Sequence, residues 1–222
     1  SSLNITPYFH KNSGRGDWIP PYLVAAVDGN QQPTKEGGSI ATTYGFVDQQ
    51  GNPLTPAEGC TASYNWPWSS GPALHPSCYD DSAEPVMSYR HTHYGKNRVG
   101  FTANYDLSIG MHDLQAGIWF ESNERDEHRD WHKVVDARIY HHFDDTPYWT
   151  QYKNTFNTDT IKWYIQDTIN INDFTLNIGA QQYLVEVEKY DHFANEVTGK
   201  VNSDSDTLFN AGAVYQINED FV

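Results

Sequence analysis

The sequence predicts an all-β chain: an antiparallel, up-and-down segment of a transmembrane β-barrel, about six strands of a larger wall, with long extracellular loops. Three observations carry this. Apolar and polar residues alternate with period two in six short segments. The connections between those segments alternate between short and long. The polar positions hold Asn, Thr, Gln and Gly rather than Lys and Glu, which suits a lumen better than a solvated sandwich face.

Composition sets the class. The 222 residues include 15 Tyr, 10 Phe and 7 Trp but only 2 Met, and 38% are hydrophobic. The apolar material is therefore of the strand-favouring kind and too sparse for an ordinary globular core. A formal charge of −15 argues against nucleic acid, which needs clustered Lys and Arg. No run of eighteen apolar residues could form a membrane helix, but a tilted barrel strand needs only about nine to eleven residues. The chain opens on SSLNITPYFH without a basic-then-apolar leader, so a signal peptide is expected to be removed or to lie upstream.

The first strand sets Leu3, Ile5, Pro7 and Phe9 against Asn4, Thr6, Tyr8 and His10. VGFTANYDL gives the cleanest stripe, with Val99, Phe101, Ala103, Tyr105 and Leu107 on one face. After the break SIGMH, Leu114, Ala116, Ile118 and Phe120 oppose Gln115, Gly117, Trp119 and Glu121, which predicts a hairpin. Ile161, Trp163 and Ile165 form the fourth stripe, ending at NIND. FTLNIGA gives Phe174, Leu176, Ile178 and Ala180, and TLFNAGAVYQI gives Phe209, Ala211, Ala213, Tyr215 and Ile217. Short breaks at Ser108 to His112, Asn170 to Asp173 and from Asn218 alternate with long ones, about 11–85, 125–147 and 189–203. One rim of tight turns and one of elaborate loops is the habit of a meandering barrel. Six strands cannot close a membrane barrel, whose smallest single-chain examples have eight.

Cys60 and Cys78 lie in GCTASYNWPWSSGPALHPSC. One pair around a short polar loop predicts a disulfide rather than a metal site, and an oxidising compartment.

YFHKNSGRGDWIPPYLV, the hairpin VGFTANYDLSIGMHDLQAGIWFES and TIKWYIQDTININDFTLNIGA resemble the barrel of TonB-dependent outer-membrane receptors. The likeness covers about residues 1–45 and 85–221 and is weakest in the cysteine loop. It implies one β-barrel segment over residues 1–222, a plug domain and further strands outside this chain, and a bacterial outer-membrane location. It also implies contact with lipid and lipopolysaccharide, and a TonB complex engaged through parts not present here. The implied function is uptake of a scarce nutrient such as a ferric chelate, haem or oligosaccharide, captured as an extracellular small-molecule ligand.

Candidate ligand contacts are loop aromatics and histidines. Trp66 and Trp68, Trp18 with Tyr22, and Trp149 with Tyr148 could stack on a ligand or pack the loops together. His91 and His93 (RHTHYG) share a strand face, and His128 and His132 (HRDWH) lie four apart. Either pair could meet a borderline metal or a haem iron, but spacing fixes no third ligand and no metal site is assigned. Arg15-Gly16-Asp17 is an adhesion tripeptide by letters only. The carboxylate pairs Asp80-Asp81 and Asp144-Asp145 sit among turn residues, where calcium is a conceivable occupant. No catalytic motif is present, so no enzyme and no resident cofactor are expected. Two other readings stay open: a soluble secreted β-sandwich that binds carbohydrate through loop tryptophans, and a porin-like passive channel.

Overall fold

The computed structural model describes residues 1–64, 71–136, 138–139 and 142–217. It is built almost wholly of antiparallel strands. The main sheet contains β1 (Ser2–Trp18), β6 (Ser88–Ile109), β7 (His112–Lys133), β8 (Trp149–Ile171), β9 (Phe174–Asp191), β10 (Glu196–Asn202) and β11 (Leu208–Tyr215). Its order is β1-β6-β7-β8-β9-β10, and β11 also pairs with β9. β11 lies along residues Phe174 to Gln181 of β9 and β10 along Glu186 to Asp191, so the two share one position and the wall is six strands wide. The sheet is not closed, since β1 and the β10/β11 pair form its edges. Up-and-down neighbours in chain order are what the hairpin-and-loop pattern predicts.

The strands are much longer than the apolar stripes. β6 and β7 have 22 residues each and β8 has 23, about 70 Å each at roughly 3.3 Å per residue. Even when tilted, that exceeds the about 30 Å of a bilayer's hydrocarbon core. The extra length is polar and charged, so it carries no hydrophobic alternation by which to be read. Thus β1 runs on to Trp18 where alternation ends near Phe9, and the long connection spans 19–87 rather than 11–85.

The connection expected over 189–203 is corrected. It is a four-residue turn, residues 192–195, followed by β10. The Asp191 Oδ1 accepts the N–H groups of Phe193 and Ala194, and Asn195 adopts φ 58°. A short polar side chain bonding its own turn supplies the reversal. The other two turns are as short as expected: Gly110 (φ 60°) opens β6–β7 and Asn172 (φ 51°) lies between β8 and β9. Both take the left-handed conformation that two-residue hairpins require.

The chain divides into two compact units. Unit 1 is Ser1–Ser13, Gly95–Asp126 and Thr155–Val222; unit 2 is Gly14–Tyr94 and Glu127–Asn154.

Unit 1 is a two-faced sheet. Of the predicted apolar stripes, Leu3, Ile5, Phe9, Val99, Ile118, Ile165, Ile178 and Phe209 are exposed. A sheet face of this kind is uneconomic in water and natural in lipid. The alternate positions interlock across strands. Tyr8 Oη donates to Glu121 at 2.7 Å, Trp119 Nε1 donates to Tyr8 Oη at 2.7 Å, and Tyr164 Oη donates to Asn104 at 2.9 Å. A Cβ at Gly100 would run into the Phe120 carbonyl and the Tyr8 ring, so glycine lets that ring lie across β6.

Unit 2 holds the loops. β2 (Leu23–Val27) pairs with β3 (Ser39–Tyr44), and β4 (Phe46–Val47) with β5 (Glu84–Pro85). Val24, Ala26, Trp131 and Trp149 form its buried core, with Trp18, Tyr22 and Tyr148 packed against them. Cys60 and Cys78 form the expected disulfide, and Cys78 is buried. Nearby, Phe46 stacks on Tyr79 at 4.3 Å.

Candidate functional site

In unit 2, alternation along two adjacent strands gathers titratable rings on one face. β6 presents Tyr89, His91 and His93 at every second position, and β7 presents His128, Asp130 and His132 in the same way. His91 lies 5.1 Å from His132 and 5.5 Å from His93, ring centre to ring centre. His93 and His128 stack nearly parallel, 4.5 Å apart with 12° between planes. Phe143 covers one end, stacked on Tyr89 and edge-on to His91 and His132.

Hydrogen bonds fix the outer members. His91 Nδ1 is 2.8 Å from Asp17 Oδ1, Tyr89 Oη donates to Asp17 Oδ2 at 3.3 Å, and Arg15 Nε lies 2.9 Å from Asp17 Oδ1. His132 Nδ1 is 2.7 Å from the Asp144 carbonyl oxygen. A carbonyl only accepts, so this nitrogen carries the proton and Nε2 keeps its lone pair in the neutral ring. Asp130 Oδ1 accepts the Thr150 hydroxyl at 2.7 Å, while Oδ2 lies 3.4 Å from His128 Nε2.

Burial pushes the His91 pKa below its ordinary value, outweighing the Asp17 carboxylate beside it. His93 is lowered first by burial and then by the neighbouring charges of His128 and His91. For Asp17 burial works upward, but the His91 hydrogen bond and the charges of His91 and Arg15 prevail and hold it low.

The opposite face is aromatic and cationic. The Arg90 guanidinium sits 4.6 Å from the Trp18 ring and 5.7 Å from Trp131. Trp131 stacks on Trp149 at 5.7 Å, and Trp149 Nε1 donates to the Gly37 carbonyl at 2.8 Å. Tyr148 Oη accepts the Val24 N–H at 3.1 Å and contacts the Ser88 hydroxyl at 2.9 Å. This cluster docks the first long loop onto the strands.

Of the residues marked by sequence, His91 and His93 therefore join His128 and His132 in one patch. Trp149 is 1% exposed and Trp18 packs beside Tyr22, so both hold the loop. Trp66 and Trp68 lie outside the described residues. Asp80 and Asp144 accept the backbone N–H groups of Ser82 and Thr146, as turn formers do. Sequence reasoning does not single out Asp130. The available signal is the alternation of HRDWH, which puts Asp130 on the face of both histidines once that segment is known to be strand.

The model of a family described as "TonB dependent receptor-like, beta-barrel" matches residues 7–222. No curated protein matches. Among solved structures, the unliganded ferric citrate transporter FecA is similar over 62% of this chain, with TM-score 0.41 and 12% identity. The match takes in 21% of that transporter's chain, so this chain spans about a fifth of its length.

Proposed function

The chain belongs to the TonB dependent receptor-like β-barrel family, and we propose from this that it forms part of the barrel wall of an outer-membrane receptor that imports a scarce nutrient. The observation that carries the reading is the two-faced sheet of unit 1. Its stripes of Leu, Ile, Val and Phe are exposed, while the alternate positions form a polar network. Lipid and lipopolysaccharide would meet the first face and a lumen the second. The TonB complex would be engaged through parts outside this chain.

The ligand is a ferric chelate, haem, an oligosaccharide or a similar small molecule. A charge of −15 supports a neutral or cationic ligand over a strongly anionic one. Its contacts would come from the loop aromatics Trp66 and Trp68 and from His93, while His91, buried between Asp17 and Phe143, would support that face. Trp18 and Trp149 would act by setting the loop. The reading includes no catalytic step.

Membrane fractionation of cells making the full-length protein tests this. A detergent-requiring, heat-modifiable outer-membrane band, with ligand uptake that stops when TonB is deleted, is the expected result. A water-soluble product would overturn the barrel reading, and uptake indifferent to TonB would leave a passive channel in its place.

A further inference from the structure

Among the described residues, one imidazole nitrogen from each of His93 and His128 and one carboxylate oxygen of Asp130 lie within 4.8 Å of one another. We propose that these three side chains bind a divalent transition-metal ion of the zinc class, leaving at least one coordination position open. The proposal is independent of the transport reading, because it concerns binding alone.

The geometry is near to what an ion needs. In a tetrahedral shell with metal–ligand bonds of about 2.1 Å, two donors on one ion lie about 3.4 Å apart. Closing separations of up to 4.8 Å to that spacing takes side-chain shifts of about 1.4 Å in total, together with rotation of the two stacked rings so that their in-plane lone pairs converge, at partly exposed positions. The donors stand on β6 and β7, neighbouring strands of a sheet, so the backbone spacing is already set. Asp130 is oriented from behind, since Thr150 occupies Oδ1 and leaves Oδ2 beside His128 Nε2. That is the supporting role that outer hydrogen bonds play at metal sites.

The donor set also selects the ion. Calcium and magnesium prefer shells of oxygen, whereas two imidazoles and one carboxylate suit zinc, copper or nickel. Three protein ligands leave a fourth position for water or an incoming donor. The His128 side chain is 38% exposed, so an ion can arrive from solution.

The test uses the full-length protein, purified in detergent without a histidine tag and stripped by a chelator. Zn²⁺ is titrated by calorimetry, with Ca²⁺ and Mg²⁺ in parallel. One high-affinity Zn²⁺ equivalent is expected, weakened at least about 100-fold in each of His93→Ala, His128→Ala and Asp130→Asn. His10→Gln should leave it unchanged. Co²⁺ substitution gives a second readout, namely visible absorption bands of a low-symmetry nitrogen and oxygen site that are lost in the same variants. Each variant is first checked for its heat-modifiable folded band. Zinc binding equal in wild type and the folded variants, no binding above background, or stronger binding of Ca²⁺ would each overturn the proposal. In those cases the stacked imidazoles serve only as packing.

Discussion

Arg98 on β6 and Glu121 on β7 form a two-point ion pair, with Nε 3.0 Å from Oε1 and Nη2 2.5 Å from Oε2. The same carboxylate accepts the Tyr8 hydroxyl, which in turn accepts from Trp119. Three adjacent strands are thus tied through one side chain on the polar face of unit 1. The Glu121 side chain is only 12% exposed, but Arg98 is 35% exposed, so solvent screens part of the attraction.

Glu121→Ala should therefore cost about 2 kcal/mol, mostly by leaving Arg98 and Tyr8 without their acceptor. In the full-length protein this is read as a fall of a few degrees in the temperature at which the folded gel band converts. Glu121→Gln, which keeps an acceptor but loses the charge, should fall between the variant and wild type. An unchanged conversion temperature in Glu121→Ala would show that the network contributes nothing.

Gly100→Ala should destabilise by about 1–3 kcal/mol, because the new methyl would meet the Phe120 carbonyl and backbone cannot yield as a side-chain tip can. Gly212→Ala, where a Cβ would meet nothing within 4 Å, should be nearly neutral. The same gel assay compares the two, and equal effects would count against the close approach of Tyr8 to β6.

Trp149→Ala should cost about 3–5 kcal/mol locally, since the ring is buried against Trp131 and its N–H holds the Gly37 carbonyl. The expected sign is faster proteolytic cleavage within 19–87 while the rest of the chain stays protected. Cleavage at the wild-type rate would mean that Trp149 does not dock this loop.

Reducing the Cys60–Cys78 bond, which spans 18 residues, should release about 3 kcal/mol of loop constraint. Proteolysis with and without reductant measures it. New cuts between the cysteines are expected, and an unchanged digestion pattern would show that packing of Phe46 and Tyr79 suffices.

Asp17 gives a pH dependence. Its folded pKa is below the ordinary carboxylate value, so its contribution to stability is present above that ordinary value and is lost as pH falls through the folded one. Asp17→Asn should be less stable than wild type at neutral pH, and the gap should narrow as pH falls below about 4. Conversion temperatures of both proteins across pH 7 to 3 test this. A gap that is constant with pH would show that charge on Asp17 is irrelevant.

Sequence by itself determined the apolar stripes, because a strand turns every second side chain to the same face and that alternation is written in order along the chain. It also determined the tight reversals at Gly110 and Asn172 and the cysteine pair, which depend on local backbone freedom or on simple proximity. The outer lengths of the strands escaped it, since residues such as Lys96 and Arg129 satisfy water on either face and leave no periodic trace. The turn before β10 was hidden for a related reason: EVTGKVN reads as loop until Asp191 is seen to cap the reversal. Only the tertiary structure decided which residues meet across strands. Pairing register is a property of two segments far apart in sequence, and it brings His93 to His128, Asp17 to His91 and Arg98 to Glu121. It likewise decided that Trp149 is buried, because a loop tryptophan's partner, here Trp131 and the Gly37 carbonyl, cannot be read from its own neighbours.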